Sequence, residues 1–369
     1  MKISVCSILL FATPAFAGVS VSSPVHNSKV SAPVHFAATA TTSCAGGVSS
    51  MGIYTAPSVL AYKVSGSTLN TNLSLAPGTY NTVVQEWDKC GGASKTAVTI
   101  TVSSGTTSSI PISGHVFVVL EENHSYSSVI GSSSMPYLNS LASKYGLATQ
   151  YYANTHPSIG NYFMLTAGQI ITTNDSLCST LTQDNIVRHL LTAGKTWKSY
   201  AESLPSAGYT GCGSGAYVKR HNPLAYFSDV ANSSEKFNLV PFTKFATDRA
   251  NNTLPNFSFI VPNLLHDGHD GSLSTADSWL KTNIAPLIAS ATFQKDGLLI
   301  IVFDESVGTD TAHGGGHIAA VVIGPKVRAG YKSTILYQHQ NLLKTAMKAL
   351  GLTSFPGAAS GAASMSDFF

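Results

Sequence analysis

The pattern of apolar and polar residues changes once along the chain, near residue 104. Between residues 18 and 103, short stretches alternate apolar with polar residues, and turn signals such as Ala76-Pro77-Gly78 separate them. This period of two, without helical periodicity, predicts a small Ig-like β-sandwich domain over residues 18–103. Residues 104–113 are rich in Ser, Thr and Gly, which is typical of a linker between domains.

After the linker, the apolar residues form short continuous runs, as in strands that are buried on both faces. These runs are HVFVVL, TWKSYA, FSFIVP, GLLIIVF and IAAVVIG. Helical patterns lie between them, and one of these, QNLLKTAMKALG, ends at Gly351 as helices commonly do. The alternation predicts that residues 114–369 form a three-layer α/β/α sandwich with a mainly parallel sheet. The tail of small residues after residue 353 is expected to be poorly ordered.

The first 17 residues have the layout of a signal peptide. Lys2 provides the positive start, an apolar stretch follows, and Ala15-Phe16-Ala17 provides the small-x-small cleavage site. The mature chain is therefore expected to begin at Gly18 and to be secreted or periplasmic. No other apolar run reaches the roughly 18 residues that a transmembrane helix needs, so no membrane span is expected.

Four cysteines remain once Cys6 is removed with the signal peptide: Cys44, Cys90, Cys178 and Cys212. An even number in an exported protein predicts two disulfides, and four cysteines allow three pairings. The division into domains favours Cys44–Cys90 and Cys178–Cys212. No C-x2-C spacing occurs, so the cysteines do not indicate a metal site.

The charge of the chain narrows the choice of partners. Charged residues make up 11% of the chain and the net charge is +3, without a basic cluster, so no nucleic-acid partner is expected. Twelve histidines are many for so lightly charged a chain. Neutral imidazole both binds metal ions and carries protons, so the histidines are candidates for chemistry.

Acidic residues directly follow two of the continuous apolar runs. HVFVVL leads into Glu121, Glu122 and Asn123, and GLLIIVF leads into Asp304 and Glu305. Ligands of open α/β sheets bind at the carboxyl ends of the strands, so these side chains should meet at one edge. Carboxylates this close repel one another unless a cation binds them, which predicts a divalent metal ion of unknown identity. Neighbouring strand residues point to opposite faces, so only one of Glu121 and Glu122 should face the site.

A hydroxyl group and several histidines complete the set of candidates. Ser158 lies directly before a helical pattern in THPSIGNYFMLTAGQ. It is either a helix N-cap or a nucleophile placed where free N–H groups attract a phosphate. The segments PNLLHDGHDG and AHGGGHIAA lie next to predicted strands, and their histidines could contact phosphate or protonate a leaving group.

These stretches together resemble a known family. Residues 114 to about 352 are similar to the phosphoesterase family of bacterial acid phosphatases and non-haemolytic phospholipases C, within the alkaline-phosphatase-like superfamily. The matching stretches occur in family order: EENHSY, HPSIGNYFMLTAG, KRHNPLAYF, LPNFSFIVPNLLHDGHD, DSWL, IVFDES and GGGHIAAVVIGP. For residues 18–103 the resemblance implies nothing.

The resemblance implies roles for particular residues. It makes Ser158 the nucleophile, with His269 and a histidine of HGGGH, for which His317 is preferred over His313, contacting phosphate or acting as acid. The implied metal ligands are Glu122, Asn123, Ser158, Asp304 and Glu305. The expected substrate-binding residues are His156, Asn161, His266, Asp270 and His313.

The expected activity is that of an exported, metal-dependent acid phosphatase, which hydrolyses phosphate monoesters through a phosphoserine. Phospholipase members usually carry a threonine nucleophile and extra domains, so Ser158 and the compact chain favour monoesters over the alternative, a phospholipase C or other phosphodiesterase. A second alternative is a non-catalytic ligand-binding or adhesion protein. A carboxyl esterase is disfavoured, because no G-x-S-x-G motif occurs. The N-terminal domain is expected to be a spacer or a module for cell-envelope contacts.

Overall fold

The computed structural model describes residues 18–103 and 109–369. The predicted signal peptide and residues 104–108 of the predicted linker lie outside the described residues. The described ranges contain a smaller hydrophobic core among residues 34–102 and a larger one among residues 110–368. The change of sequence pattern near residue 104 therefore coincides with a change of core.

Two sheets face each other across the smaller core, and we call residues 18–103 the N-terminal sandwich. Its strands are β1 (Gly18–Ser23), β2 (Ser28–Ser31), β3 (Val34–Thr41), β4 (Val48–Ala56), β5 (Val59–Ser65), β6 (Thr68–Leu73), β7 (Gly78–Asp88) and β8 (Ala93–Ser103). The strand orders are β1-β3-β6 and β2-β8-β7-β4-β5. In β3, Val34, Phe36 and Ala38 are buried and the residues between them are not, which is the predicted period of two. The Ig-like character of the sandwich stays a prediction.

The larger core surrounds an eight-stranded sheet with the order β14-β11-β15-β9-β16-β17-β10-β18. The strands after residue 109 are β9 (His115–Glu121), β10 (Gly146–Ala148), β11 (Trp197–Ala201), β12 (Gly213–Ser214), β13 (Tyr217–Val218), β14 (Leu239–Pro241), β15 (Phe257–Val261), β16 (Gly297–Phe303), β17 (Ala320–Ile323) and β18 (Tyr331–Ser333). The strands from β14 to β16 pair in parallel, whereas β17 runs antiparallel to both of its neighbours. The α/β class is confirmed, and the sheet is mixed.

Helices lie in the connections between these strands. They are α1 (Tyr126–Val129), α2 (Pro136–Lys144), α3 (Ile159–Ala167), α4 (Ile186–Thr192), α5 (Ser228–Ala231), α6 (Thr243–Ala250), α7 (Leu273–Ile288), α8 (Ala291–Asp296) and α9 (His339–Ala349). Short 3-10 helices span Lys219–His221, Pro223–Tyr226, Ser234–Asn238, Ala312–Gly314, Gly357–Ala359 and Ser366–Phe368. Helix α2 packs against α7, and α3 packs against α9. Among the described residues, no helix has both the length and the apolar character needed to span a membrane.

Strands β9 and β16 lie side by side in the middle of the sheet, and their register positions the acidic residues. They pair in parallel from Gly297 opposite His115 to Phe303 opposite Glu121. The backbone N–H of Asp304 donates to the carbonyl oxygen of Glu121 at 2.9 Å. Because the two strands end together, the residues that follow them emerge at the same edge of the sheet.

Two disulfides join the four cysteines, as predicted. Cys44 pairs with Cys90 inside the N-terminal sandwich, and Cys178 pairs with Cys212 in the larger part of the chain. Each disulfide therefore closes a loop within one part, and neither joins the two parts.

The expectation of a poorly ordered C-terminal tail is wrong. Met365 and Phe368 are buried in the larger core, and residues 361–363 hydrogen-bond to residues 74–76 of the N-terminal sandwich. The Asp367 carboxylate accepts hydrogen bonds from the hydroxyls of Tyr331, Ser333 and Tyr337. A few apolar anchors and one carboxylate therefore order a segment whose composition is dominated by small residues.

We expect Asp367→Asn to lower the free energy of unfolding by about 1–3 kcal/mol, because an amide group would turn a donor towards hydroxyl donors. Urea unfolding monitored by circular dichroism measures the change. The control is Asp184→Asn, since the Asp184 side chain is 42% exposed and its contacts with Arg188 and His189 lie near the surface, so stability should change by less than about 1 kcal/mol. An equal, small effect of both substitutions would contradict a stabilising role for Asp367.

Candidate active site

The hydroxyl of Ser158 lies at the centre of a group of buried carboxylates. Ser158 is 3% exposed and directly precedes α3. Its Oγ donates to Glu122 Oε2 at 3.2 Å and lies 3.4 Å from Glu305 Oε1. The hydroxyl makes no capping hydrogen bond, and the N–H of Ile159 donates instead to Asp175 Oδ1 at 3.1 Å. Helix capping therefore does not account for the orientation of this hydroxyl.

Glu122 is fully buried and held by an aromatic pair. The Tyr162 hydroxyl donates to Glu122 Oε1 at 2.6 Å. The His221 ring stacks on Tyr162 at 5.0 Å, and its Nε2 lies 3.0 Å from the same Glu122 oxygen without the angle of a hydrogen bond. Glu121 is also buried, but neither of its carboxylate oxygens has a hydrogen-bond partner among the described residues. Of the two glutamates, Glu122 is the one that contacts Ser158.

The acidic pair after β16 is fixed from both sides. The backbone N–H of Asn123 donates to Asp304 Oδ1 at 3.1 Å, and His339 Nε2 donates to the Asp304 carbonyl oxygen at 2.7 Å. Glu305 Oε2 lies 2.9 Å from Nδ1 of His156. This contact with Glu305 raises the pKa of His156, so the imidazole retains its proton more readily beside the carboxylate.

Burial and mutual repulsion dominate the electrostatics of the group. Burial raises the pKa of Glu122 well above its usual range, and the charges of Asp304 and Asp267 add to the effect. Burial and the charge of Glu305 likewise raise the pKa of Asp304. Burial raises the pKa of Asp267 to about 7 and lowers the pKa of His221 well below its usual value. Without an added positive charge, these groups therefore favour their neutral forms.

The donor set fits a divalent cation. Asp304 Oδ2 and His221 Nε2 are buried and lack a hydrogen-bond partner within the described part of the chain. Unpaired buried groups of this kind are costly, and hard cations prefer carboxylate, amide and hydroxyl oxygens. Ser158 Oγ contacts carboxylate oxygens of Glu122 and Glu305, and the backbone N–H of Asn123 holds the Asp304 carboxylate.

A second group of donors is more tightly spaced but unsuited to a metal ion. Within residues 18–103 and 109–369, only Cys44, Asp88 and Cys90 place three His, Cys, Asp or Glu ligand atoms within 4.8 Å of one another. The two cysteines form a disulfide, so they provide no thiolate ligand. The carboxylates around Ser158 are spaced more widely than this, with the serine hydroxyl between them.

A cluster of imidazole, carboxylate and guanidinium groups adjoins Glu122. His221 Nδ1 lies 3.2 Å from Asp267 Oδ2, and Asp267 Oδ1 accepts from the backbone N–H of His269 at 2.8 Å. His269 Nδ1 lies 2.7 Å from Asp270 Oδ1, and Arg220 Nη2 lies 3.5 Å from His269 Nε2. The His269 ring is 5.9 Å from the His221 ring. This cluster brings positive charge and a titratable histidine close to the buried carboxylates.

Several predicted site residues do converge. The side chains or backbone groups in direct contact around Ser158 belong to His156, Glu122, Asn123, Asn161, Asp304 and Glu305. Asn161 is fully buried, and its Oδ1 accepts from the backbone N–H groups of Asn154 and Thr155. It therefore shapes the backbone that leads to Ser158 and also contacts Glu305.

Other predicted residues point elsewhere. His266 Nδ1 lies 2.9 Å from Glu202 Oε2, and His313 Nδ1 lies 3.0 Å from Thr71 Oγ1 of the N-terminal sandwich. His317 stacks between two tyrosine rings, and its Nε2 bonds to a backbone carbonyl. Asp270 is exposed and contacts the site through His269.

Four side chains at the site were missed by the sequence prediction: Tyr162, Arg220, His221 and His339. Tyr162 lies in an apolar helical pattern, so its hydroxyl gave no polar signal. Arg220 and His221 lie within KRHNPLAYF, which the family resemblance includes but whose spacing carries no chemical motif. His339 follows a capping residue at the start of α9, where a histidine suggests a surface position.

Comparison with known proteins supports an enzymatic reading of this geometry. The sequence profile of the phosphoesterase family matches residues 131–353. The chain is 36% identical over 250 residues to the phosphatidylinositol-3-phosphatase of Mycobacterium tuberculosis, a match that covers 66% of this chain and 79% of that protein. It is 29% identical over 296 residues to a probable acid phosphatase of Kluyveromyces lactis, covering 77% of this chain and 68% of that protein.

Among solved structures, the lipoteichoic acid synthase LtaP from Listeria monocytogenes superposes with a TM-score of 0.51 at 12% identity, over 69% of this chain and 76% of that one. At that identity the likeness concerns the fold alone. The family profile spans more than half of the chain and includes Ser158, Asp304 and Glu305, whereas Glu122 precedes it. The chain belongs to the phosphoesterase family and is a hydrolase that acts on phosphoric ester bonds.

Proposed function

We propose that this protein is an exported, metal-dependent phosphatase that hydrolyses phosphate monoesters through a phosphoserine at Ser158. The observation that carries the proposal is the position of the Ser158 hydroxyl. The hydroxyl is buried and makes no helix-capping hydrogen bond. It contacts the carboxylates of Glu122 and Glu305, which are far apart in sequence. A hydroxyl held in this way is suited to attack an anionic phosphorus centre.

In the first step, Ser158 Oγ forms a bond to phosphorus while the bond from phosphorus to the alcohol oxygen breaks. The serine proton passes to a neighbouring carboxylate, for which Glu122 Oε2 at 3.2 Å and Glu305 Oε1 at 3.4 Å are within reach. In the second step, water attacks the phosphoserine, and phosphate leaves as the serine oxygen regains a proton.

The alcohol that leaves in the first step needs a proton, and His269 is the proposed donor. Asp270 Oδ1 lies 2.7 Å from its Nδ1, so the carboxylate orients the ring, and the imidazolium form carries the proton to be transferred on Nε2. After the transfer, the neutral Nε2 can accept from Arg220 Nη2, which lies 3.5 Å away. Arg220 places a guanidinium group beside this histidine, where it can also attract an incoming phosphate.

A divalent cation would be held by Glu122, Asn123, Ser158, Asp304 and Glu305. When bound, it would activate the serine hydroxyl and offset the negative charge of the phosphate. The unpaired Asp304 Oδ2 and the raised pKa of Glu122 and Asp304 support this assignment. Oxygen donors without thiolates favour hard or intermediate cations over soft ones.

Monoester specificity is supported by the names of the relatives. Both are described as phosphatases, which are enzymes that release phosphate from monoesters.

Export is supported by the layout of residues 1–17 and by two disulfides, because disulfides persist mainly in oxidising compartments.

We expect Ser158→Ala to lower kcat for p-nitrophenyl phosphate by at least about a thousandfold, because no hydroxyl remains to attack phosphorus. Steady-state kinetics measures the loss, and mass spectrometry of acid-quenched wild type should find a phosphoryl group on the peptide containing Ser158. The matched control is Ser140→Ala, since the Ser140 hydroxyl donates to the Tyr137 carbonyl oxygen of its own helix and is distant in sequence from the carboxylates around Ser158. Near-full activity of Ser158→Ala would refute the nucleophile assignment.

Removal of divalent cations should abolish activity and destabilise the fold. A bound cation at about 100 times its dissociation constant should raise the midpoint of thermal unfolding by about 5–10 °C, because it relieves repulsion among buried carboxylates. Differential scanning fluorimetry with chelator and with added cations measures this. Ser158→Ala should keep the cation response, because Glu122, Asp304 and Glu305 remain. A midpoint that neither chelator nor cation moves would rule out the proposed metal site.

The substrate class can be decided by comparing p-nitrophenyl phosphate with bis-p-nitrophenyl phosphate. We expect kcat/KM to favour the monoester by at least about a hundredfold. The two assays share a chromophore, so the ratio is read under identical conditions. A preference for the diester would replace the phosphatase proposal with the phosphodiesterase alternative.

A further inference from the structure

We propose that the N-terminal sandwich positions the catalytic centre through His313, so that the two parts of the chain work as one unit. We call residues 304–317 the acidic loop, because it begins with Asp304 and Glu305. The inference concerns the site of the proposed function and rests on that function only where activity is measured. It departs from the sequence-based expectation of a spacer or adhesion module.

The side chain of His313 reaches into the N-terminal sandwich. Its Nδ1 lies 3.0 Å from Oγ1 of Thr71, which is 3% exposed. The ring of Tyr62, also in the N-terminal sandwich, lies edge-on to the imidazole at 6.3 Å. On its other side, the imidazole ring packs 4.2 Å from the ring of Tyr152. A single histidine of the acidic loop is thus enclosed by groups from both parts of the chain.

His313 also holds an unfavourable backbone conformation. Its φ of 55° lies in the left-handed region, which is costly for residues with a Cβ atom. Its carbonyl oxygen accepts from Gln338 Nε2 at 3.0 Å, so the backbone is tied to the start of α9. Such a conformation persists only where surrounding contacts determine it, and the bond to Thr71 is one of these contacts.

One chain of hydrogen bonds leads from this region to Glu305. The Asp310 carboxylate accepts from the backbone N–H groups of Ala312 and His317, at 3.1 and 2.9 Å, and so braces the residues on both sides of His313. The Asp310 carbonyl oxygen accepts from His156 Nε2 at 2.9 Å, and His156 Nδ1 contacts Glu305 Oε2 at 2.9 Å. A shift of the acidic loop at His313 would therefore reach the carboxylate of Glu305.

A second chain leads from the same residue to Asp304. Gln338 bonds the carbonyl oxygen of His313, and the next residue, His339, donates from Nε2 to the Asp304 carbonyl oxygen at 2.7 Å. Both acids after β16 are thus connected to the point where the N-terminal sandwich contacts the loop. Misplacement of catalytic groups by a fraction of an ångström lowers kcat more than it lowers substrate affinity.

The test uses the full chain with Thr71→Val, which removes the hydroxyl that contacts His313 Nδ1 while keeping the side-chain shape. The matched control is Thr82→Val, because Thr82 is also buried in the sandwich and, among the described residues, its hydroxyl bonds only to the Val98 carbonyl oxygen. Both variants lose one buried hydroxyl in the same sandwich. Only Thr71→Val removes a contact with the acidic loop.

Hydrogen–deuterium exchange of the wild type and both variants gives a readout that does not depend on activity. In Thr71→Val, peptides covering residues 305–317 should exchange about tenfold faster, and kcat should fall about tenfold with KM changed less than twofold. In Thr82→Val, exchange in those peptides and kcat should match the wild type. Unchanged exchange in Thr71→Val, or equal acceleration in both variants, would overturn the inference.

A pair of substitutions at His313 separates positioning from substrate binding. Asparagine tolerates the left-handed region and retains a hydrogen-bonding side chain, so His313→Asn should keep several times more of kcat than His313→Ala. An increase in KM with kcat unchanged would instead assign His313 to substrate binding and refute positioning. If the wild type lacks phosphatase activity, the proposed function fails, and the exchange comparison alone decides the inference.

Discussion

The burial of two carboxylates at the ends of adjacent parallel strands is the constraint on which the rest of this site depends. Glu122 and Asp304 are fully buried, and desolvation together with neighbouring negative charge raises the pKa of both. Such an arrangement opposes folding unless the surrounding groups compensate for it. Tyr162 donates to one carboxylate and the backbone of Asn123 to the other, but one Asp304 oxygen stays unpaired among the described residues. When ionised, the carboxylates beside Ser158 therefore carry more negative charge than the surrounding groups compensate.

Hydrogen bonds hold the segments around these carboxylates in place, and a fixed arrangement of charge suits catalysis. The Ser306 hydroxyl contacts the carbonyl oxygens of Asp310 and Gly315, and Ala153 exchanges backbone hydrogen bonds with the glycines of HGGGH. At Gly316, with φ of 83°, a Cβ atom would lie 1.8 Å from Ser306 Oγ, so only glycine fits this turn. The HGGGH part of the acidic loop therefore supports the backbone that carries the acidic residues.

The sequence predicted the parts of this site that depend on strand order and strand ends. Continuous apolar runs identified β9 and β16, and a parallel sheet requires their carboxyl ends to lie together, so the acidic residues after both strands could be placed at one edge from pattern alone. Because neighbouring strand residues point to opposite faces, one of Glu121 and Glu122 had to face away from the site. The pattern did not decide which one, since that depends on the residue at which the regular strand geometry of β9 ends. Tyr162 and His221 could not be placed, since their approach to Glu122 depends on packing between a helix and a distant 3-10 helix. The tail was wrongly expected to be poorly ordered, because its many small residues gave no sign that Met365 and Phe368 would be buried in the core.

The position of α9 connects the N-terminal sandwich with the group of carboxylates around Ser158. His339 at its start supports Asp304, whereas Asn341 two residues later donates to the carbonyl oxygens of Ser74 in the sandwich and Ala363 in the tail. One turn of helix therefore contacts the sheet edge at Asp304, the N-terminal sandwich and the C-terminal segment. Closely packed helices move as rigid units rather than bend. A displacement where α9 meets the N-terminal sandwich would therefore also move the end of α9 that contacts Asp304. The sandwich lies outside residues 131–353, which the family profile matches, yet it packs directly against them.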